Sequence, residues 1–124
     1  MVINIIRKDE MFRAFFPPAW LFIAVFSVYC VPVPARADAE AEIMIKGHRF
    51  IPNSIEAPQG SKIRLKVTNG DDTMEEFESF ELNREKLIAP GGSVVIFIPK
   101  LAPGTYEFFG EFHPDTARGH IVVR

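Results

Sequence analysis

The stretch Gly104-Thr105-Tyr106-Glu107-Phe108-Phe109-Gly110-Glu111-Phe112-His113-Pro114-Asp115-Thr116-Ala117-Arg118-Gly119-His120-Ile121-Val122-Val123 decides how the rest of the chain is read. It begins as a strand with alternating aromatics, passes through a tight polar loop and closes in a second strand. The loop brings a carboxylate and imidazoles within a few residues of one another. Such oxygen and nitrogen donors, carried between two strands, form a candidate metal-binding loop on a small β-sandwich.

Working outward, the same strand-and-turn grammar continues. Ile63, Leu65 and Val67 alternate with Lys62, Arg64 and Lys66, a half-buried strand. Val94, Ile96 and Ile98 give another, and Leu101-Ala102-Pro103-Gly104 turns into the opening stretch. Ile43, Ile45 and Phe50 suggest a first strand kinked at Gly47, after a frayed lead-in from Asp38 to Glu42. Ser54 to Pro58 reads as a short extended piece, and Asn69-Gly70-Asp71-Asp72 and Ala89-Pro90-Gly91-Gly92 as turns. From Glu76 the segment alternates to Leu82, so Glu76 and Glu78 share a face with Phe80 and Leu82 and are expected to point inward. Buried carboxylates are costly unless paired or metal-bound, which makes them candidate ligands. No segment has a helical period, and the strand spacing predicts an all-β fold.

The chain of 124 residues has room for one core, and its formal charge of −2 points to neither nucleic acid nor an anionic membrane. The ends differ, however. Arg7, Lys8 and Arg13 precede the apolar run Trp20 to Val31, and Ala35-Arg36-Ala37 supplies small residues for a cut after Ala37. Residues 1–37 therefore read as a secretory signal peptide, starting at Met1 or Met11, with an uncleaved anchor as the lesser alternative. The run is nearer 12 residues than the roughly 20 needed to span a bilayer. Cleavage would leave residues 38–124 as one exported, periplasmic or secreted domain, with 14 acidic against 10 basic side chains. It would also remove Cys30, the only cysteine, and with it every disulfide and thiolate ligand. Lys62, Arg64 and Lys66 are a solvated strand face; no stacking platform accompanies them as nucleic acid would require.

Phe50-Ile51-Pro52, Pro58-Gln59-Gly60, Val67-Thr68-Asn69-Gly70-Asp71, Pro103-Gly104-Thr105-Tyr106-Glu107-Phe108, His113 and Gly119 together resemble the cupredoxin family over nearly the whole of residues 38–124. The resemblance implies a Greek-key β-sandwich with a metal at one end, held in the copper carriers by a His, a Cys, a second His and usually a Met. Here the first His position falls on Glu75 or Glu76, depending on a one-residue register. The Cys position falls on Gly110, and the Met position near Ala117 or Arg118; His113 alone is kept. Without a thiolate, a type 1 copper centre is not expected.

Glu75-Glu76-Phe77-Glu78-Ser79 and Phe109-Gly110-Glu111-Phe112-His113-Pro114-Asp115-Thr116-Ala117 resemble a narrower branch, the small periplasmic cupredoxin-like proteins of bacterial iron-uptake operons. That implies binding, oxidising or delivering iron or copper ions, with an iron permease or a periplasmic iron-binding protein as partner and at most peripheral contact with the membrane. The candidate ligands are Glu75, Glu76, Glu78, Glu111 and His113, with His48 completing one site; carboxylate and imidazole favour Fe, Mn, Zn or Cu(II) over soft metals. His120 is expected to point outward, and Asn69 and Asp71 to serve the turn. Rival readings are a metal-free module that docks on a permease or periplasmic partner, and a blue copper carrier; a hydrolase is disfavoured because no serine elbow or triad motif is present.

Overall fold

The computed structural model describes residues 37–124, together with Pro32. The predicted signal peptide and Cys30 lie outside the described residues. Nine strands form the domain and no helix occurs among the described residues: β1 (Ala39–Ile45), β2 (Phe50–Ile51), β3 (Ser54–Ala57), β4 (Ile63–Asn69), β5 (Glu75–Ser79), β6 (Arg84–Ile88), β7 (Ser93–Ile98), β8 (Gly104–Gly110) and β9 (Arg118–Val123). They make two sheets, one ordered β2-β1-β4-β7 and the other β3-β9-β8-β5-β6. Two ladders are parallel, β1 with β4 and β3 with β9; the rest are antiparallel.

The inward residues of both sheets meet in one apolar core, as period-2 alternation requires. Ile63, Leu65 and Val67 of β4 face Phe77, Phe108 and Ile121 of the second sheet, all buried. Phe50, Phe77 and Phe108 form an aromatic cluster: Phe50 meets Phe108 edge-on at 5.0 Å between ring centroids, and Phe77 stacks on Phe108 at 5.1 Å. Such pairs add about 0.5–1.5 kcal/mol each beyond their buried area. The Phe108 ring lies against Gly119, where an added Cβ would fall 2.4 Å from it. This glycine is needed for space.

Three details differ from the sequence reading. The lead-in from Ala39 to Glu42 is not frayed: it is the first half of β1, paired from Ala39 with Ile63 through Ile45 with Asn69. Small alanines at alternate positions pack on the core while backbone pairing holds the segment. The kink at Gly47 is a full reversal, Lys46 to Arg49, after which β2 pairs back on β1. Most important, β5 turns its other face inward. Glu75, Phe77 and Ser79 are buried against the core, whereas Glu76, Glu78 and Phe80 lie on the outer side and Phe80 is 79 % exposed. The strand ends at Ser79, whose hydroxyl donates to Glu107 O (2.6 Å) and accepts from Leu82 N (3.3 Å). Leu82 therefore re-enters the core from a turn, and alternation counted back from it gives the wrong face.

Candidate metal centre

Glu75 is the first residue of β5 and 1 % exposed. The loop between β4 and β5 that delivers it is fixed by Asn69, fully buried, whose amide donates to Thr73 O (2.7 Å) and Ile88 O (3.0 Å) while its Oδ1 accepts from Asp71 N (3.0 Å). Facing Glu75 is the loop between β8 and β9, closed by Gly110 N donating to Ala117 O (2.8 Å) and tightened by His113 N donating to Gly110 O (3.1 Å). This loop carries His113. Its Nδ1–H donates to Glu75 Oε2 at 2.5 Å. Glu75 Oε1 accepts from Phe112 N (3.1 Å) and Glu76 N (3.0 Å). A carboxylate removed from water needs such donors, and Glu75 has three.

His48 joins from the reversal between β1 and β2. Gly47 and His48 both have left-handed backbones, with φ of +59° and +57°. For histidine this conformation costs roughly 1–2 kcal/mol unless something holds it. Asp71 does so, accepting from Gly47 N (2.8 Å) and His48 N (2.9 Å). Those two backbone bonds, His48 first, keep the Asp71 carboxyl below its ordinary value of 3.8. So held, the His48 ring stacks on that of His113 at 3.6 Å between centroids. One ligand-type atom from each of His48, Glu75 and His113 lies within 4.8 Å of the others.

On the other side of β5 lies a second group. Glu76, Glu78, Glu85 and Glu111 also bring carboxylate oxygens within 4.8 Å of one another. Glu78 is directly opposite Glu85 in the β5–β6 ladder, and Glu111 N donates to Glu76 O at 2.9 Å. Here the carboxylates face each other. A side-chain hydrogen bond with Glu85, loss of water and the nearby charge of Glu111 push the Glu76 carboxyl up to about 7. Burial first, then the charges of Glu85 and Glu111, raises Glu78 as well.

The single site expected from the sequence thus divides in two. His48, Glu75 and His113 converge on one side; Glu76, Glu78 and Glu111 converge on the other and are joined by Glu85, which the sequence reading missed. A hairpin closed by the turn Phe80 to Asn83 places residues 78 and 85 opposite each other, and that symmetry was the available signal. His120 belongs to neither cluster; it is partly buried on β9 across from Glu107. A surface hollow of about 380 Å³, lined by Lys62, Arg64, Arg84, Phe97 and Pro99 among others, also contains neither cluster.

The inner cluster fits a metal ion by its donor set: two imidazoles and a carboxylate suit borderline cations, and no cysteine occurs among residues 37–124. The outer cluster is all oxygen and suits harder cations.

Over residues 19–123 the sequence matches the family described as cupredoxin-like domain. It is 54 % identical over 123 residues to the uncharacterized protein RP394 of Rickettsia prowazekii (strain Madrid E), covering 97 % of this chain and 98 % of that one. Among solved structures, the fold is similar to a purple cupredoxin from Nitrosopumilus maritimus, with a TM-score of 0.53 and 21 % identity over 68 % of this chain and 99 % of that one. It is also similar to the metal-binding domain, with Cu(I), of the Cu(I)-exporting P-type ATPase CopA of Streptococcus pneumoniae D39, with a TM-score of 0.60 and 14 % identity over 73 % and 97 % of the two chains. Amicyanin from Paracoccus versutus gives a TM-score of 0.53 at 19 % identity over 75 % and 86 %.

Proposed function

The chain belongs to the cupredoxin-like domain family, and on that premise we propose that it is a metal-binding member that takes iron or copper without type 1 copper chemistry and serves iron uptake outside the cytoplasm. The observation that carries this reading is the inner cluster, in which Glu75 and His113 meet at 2.5 Å beside His48, with Gly110 where a thiolate ligand would be expected. His48, Glu75 and His113 would hold the ion, and a bound iron or copper would supply one-electron redox chemistry. Glu75 contributes negative charge, which favours the higher oxidation state of either metal. Asp71 keeps His48 in place through the backbone.

For iron as cargo, the outer carboxylates Glu76, Glu78, Glu85 and Glu111 offer an all-oxygen landing place on the adjoining face. The motifs around Glu75 to Ser79 and Phe109 to Ala117, which resemble those of iron-uptake cupredoxins, support an iron permease or a periplasmic iron-binding protein as the recipient. Calorimetric titration of the purified protein with Fe(II), Cu(II) and Zn(II) tests the reading. Binding tighter than about millimolar, weakened by His113→Ala, is expected, as is a copper complex without the strong thiolate absorption near roughly 600 nm. Binding that ignores His113→Ala would overturn it.

A second reading has one observation in its favour. Glu75 and His113 already satisfy each other without an ion, as they would in a metal-free module that docks on a permease or periplasmic partner. Capture of such a partner that is indifferent to chelator and to Glu76→Gln would favour this reading.

A further inference from the structure

Gly110 closes β8, and its backbone is not the reason it is a glycine. The glycines with positive φ are Gly47, Gly60, Gly91 and Gly104. Space is the reason. A Cβ at position 110 would fall 2.8 Å from Glu75 Cδ, 2.9 Å from Glu75 Oε1 and 2.7 Å from the Ala117 Cβ. The backbone there cannot easily retreat, since Gly110 N donates to Ala117 O (2.8 Å), Gly110 O accepts from His113 N (3.1 Å), and the residue is paired with Phe77 in the β5–β8 ladder. Glu75 is equally confined. It is buried, and its two oxygens are held by Phe112 N, Glu76 N and His113 Nδ1. Its carboxylate occupies the volume that a side chain at position 110 would need.

We propose that Gly110 is the residue that sets the donor class of the centre: the Glu75 carboxylate and a side chain at 110, a thiolate included, compete for one volume beside His113. The claim rests on the reading of His48, Glu75 and His113 as a metal centre, and it adds the reason why that centre is carboxylate-based. With Gly110 the anionic donor is an oxygen on β5. A larger residue there displaces the carboxylate from its three donors, and the loop replaces the lost anion only if that residue is itself an anionic donor such as a thiolate. Gly110 touches no ion in this scheme. It is a positioning residue, acting through the space it leaves.

The test uses Ala117→Gly as the reference, because that change removes the nearest atom to a Cβ at 110, the Ala117 Cβ, and leaves the Glu75 carboxylate at 2.8–2.9 Å. Two quantities are compared between Ala117→Gly and Gly110→Ala/Ala117→Gly. One is the affinity for Cu(II); the other is the low-field proton resonance of His113 Nδ1–H in the metal-free protein. The added Cβ is expected to weaken Cu(II) binding by about 10–100-fold, the range seen when a ligand's supporting contacts are lost, and to move or abolish the resonance. An unchanged resonance would overturn the proposal. If the reference itself binds no Cu(II), the metal reading fails, and the resonance still decides whether 110 and 75 compete. If Gly110→Ala/Ala117→Gly does not fold, Glu75→Ala is added: recovery of the fold supports competition with Glu75, and continued failure overturns it.

Discussion

Glu75 and Glu76 are consecutive residues of one strand and live in opposite chemistries. Glu75 points into the sandwich and is met by N–H donors from Phe112, Glu76 and His113. Glu76 points out of the second sheet and is met by the carboxylates of Glu85 and Glu111, which push its own carboxyl up to about 7. Depth does not separate them strongly, for they are 1 % and 7 % exposed. What separates them is the company each face provides. A buried carboxylate among N–H groups is stable without an ion, whereas one among other carboxylates is relieved by a proton or a cation. The first kind is a donor fixed in place; the second builds a surface that responds to pH.

The sharpest way to break the contrast is Glu75→Ala. It removes three hydrogen bonds and leaves the Phe112 N–H and the His113 ring without their partner. An unfolding free energy lower by about 2–3 kcal/mol is expected in urea titration of the metal-free protein, less than for a fully buried pair because the His113 side chain is 31 % exposed. Binding of Cu(II) should disappear with it.

Asp71→Ala comes next, with an expected loss of about 1–2 kcal/mol from two charge-assisted bonds to backbone N–H groups. Because the folded-state value of Asp71 lies below 3.8, its contribution is complete above that pH and disappears as pH falls through the lowered value. Urea midpoints measured across that acid range should separate the variant from the parent at neutral pH and bring them together at the acid end.

Glu76 itself is buried, but its partners Glu85 and Glu111 are exposed, so Glu76→Gln has a smaller effect, seen in pH dependence. A carboxyl raised from 4.5 to about 7 stabilises the folded state below about pH 4.5 and loses that contribution as pH rises through about 7. The parent protein should therefore lose more stability than Glu76→Gln between those limits, as read by thermal unfolding. The inner face should not notice: Cu(II) affinity at His48, Glu75 and His113 is expected to stay within a few-fold.

The smallest effect on stability is expected of His48→Gly. It relieves a left-handed histidine, worth about 1–2 kcal/mol, and gives up a ring stack worth about 0.5–1.5 kcal/mol. Stability should change by less than about 1 kcal/mol in urea titration, while Cu(II) binding weakens. A large loss of stability would show that His48 is a structural residue.

Much of this was legible in the residues themselves. The alternation in Ile63-Leu65-Val67 and Val94-Ile96-Ile98, with Gly and Pro between strands, gives the β-sandwich, because period 2 is a local property of the backbone. The turn at Asn69 and Asp71 could be read from side chains that bond their own neighbourhood. The inner pair could be read only in part, since Glu75 and Glu76 both stayed open for the position beside His113. Counting back from Leu82 assigned Glu76 and Glu78 to the core, and only the strand's end at Ser79 corrects the count. Glu85 was overlooked because its role depends on pairing across β5 and β6.

By itself the sequence determined the donors available: glutamates close together in one segment, His113 in a short loop, and no cysteine among residues 38–124. Composition and local period are carried by neighbouring residues and need no partner strand to be read. Only the tertiary structure decided which donors meet. A one-residue shift of a strand exchanges its two faces, and here the exchange sends Glu75 to His113 and Glu76 to Glu85 and Glu111. His48 reaches its place through a left-handed turn held by Asp71, 23 residues further along the chain. Long-range contacts of that kind leave no local period to find.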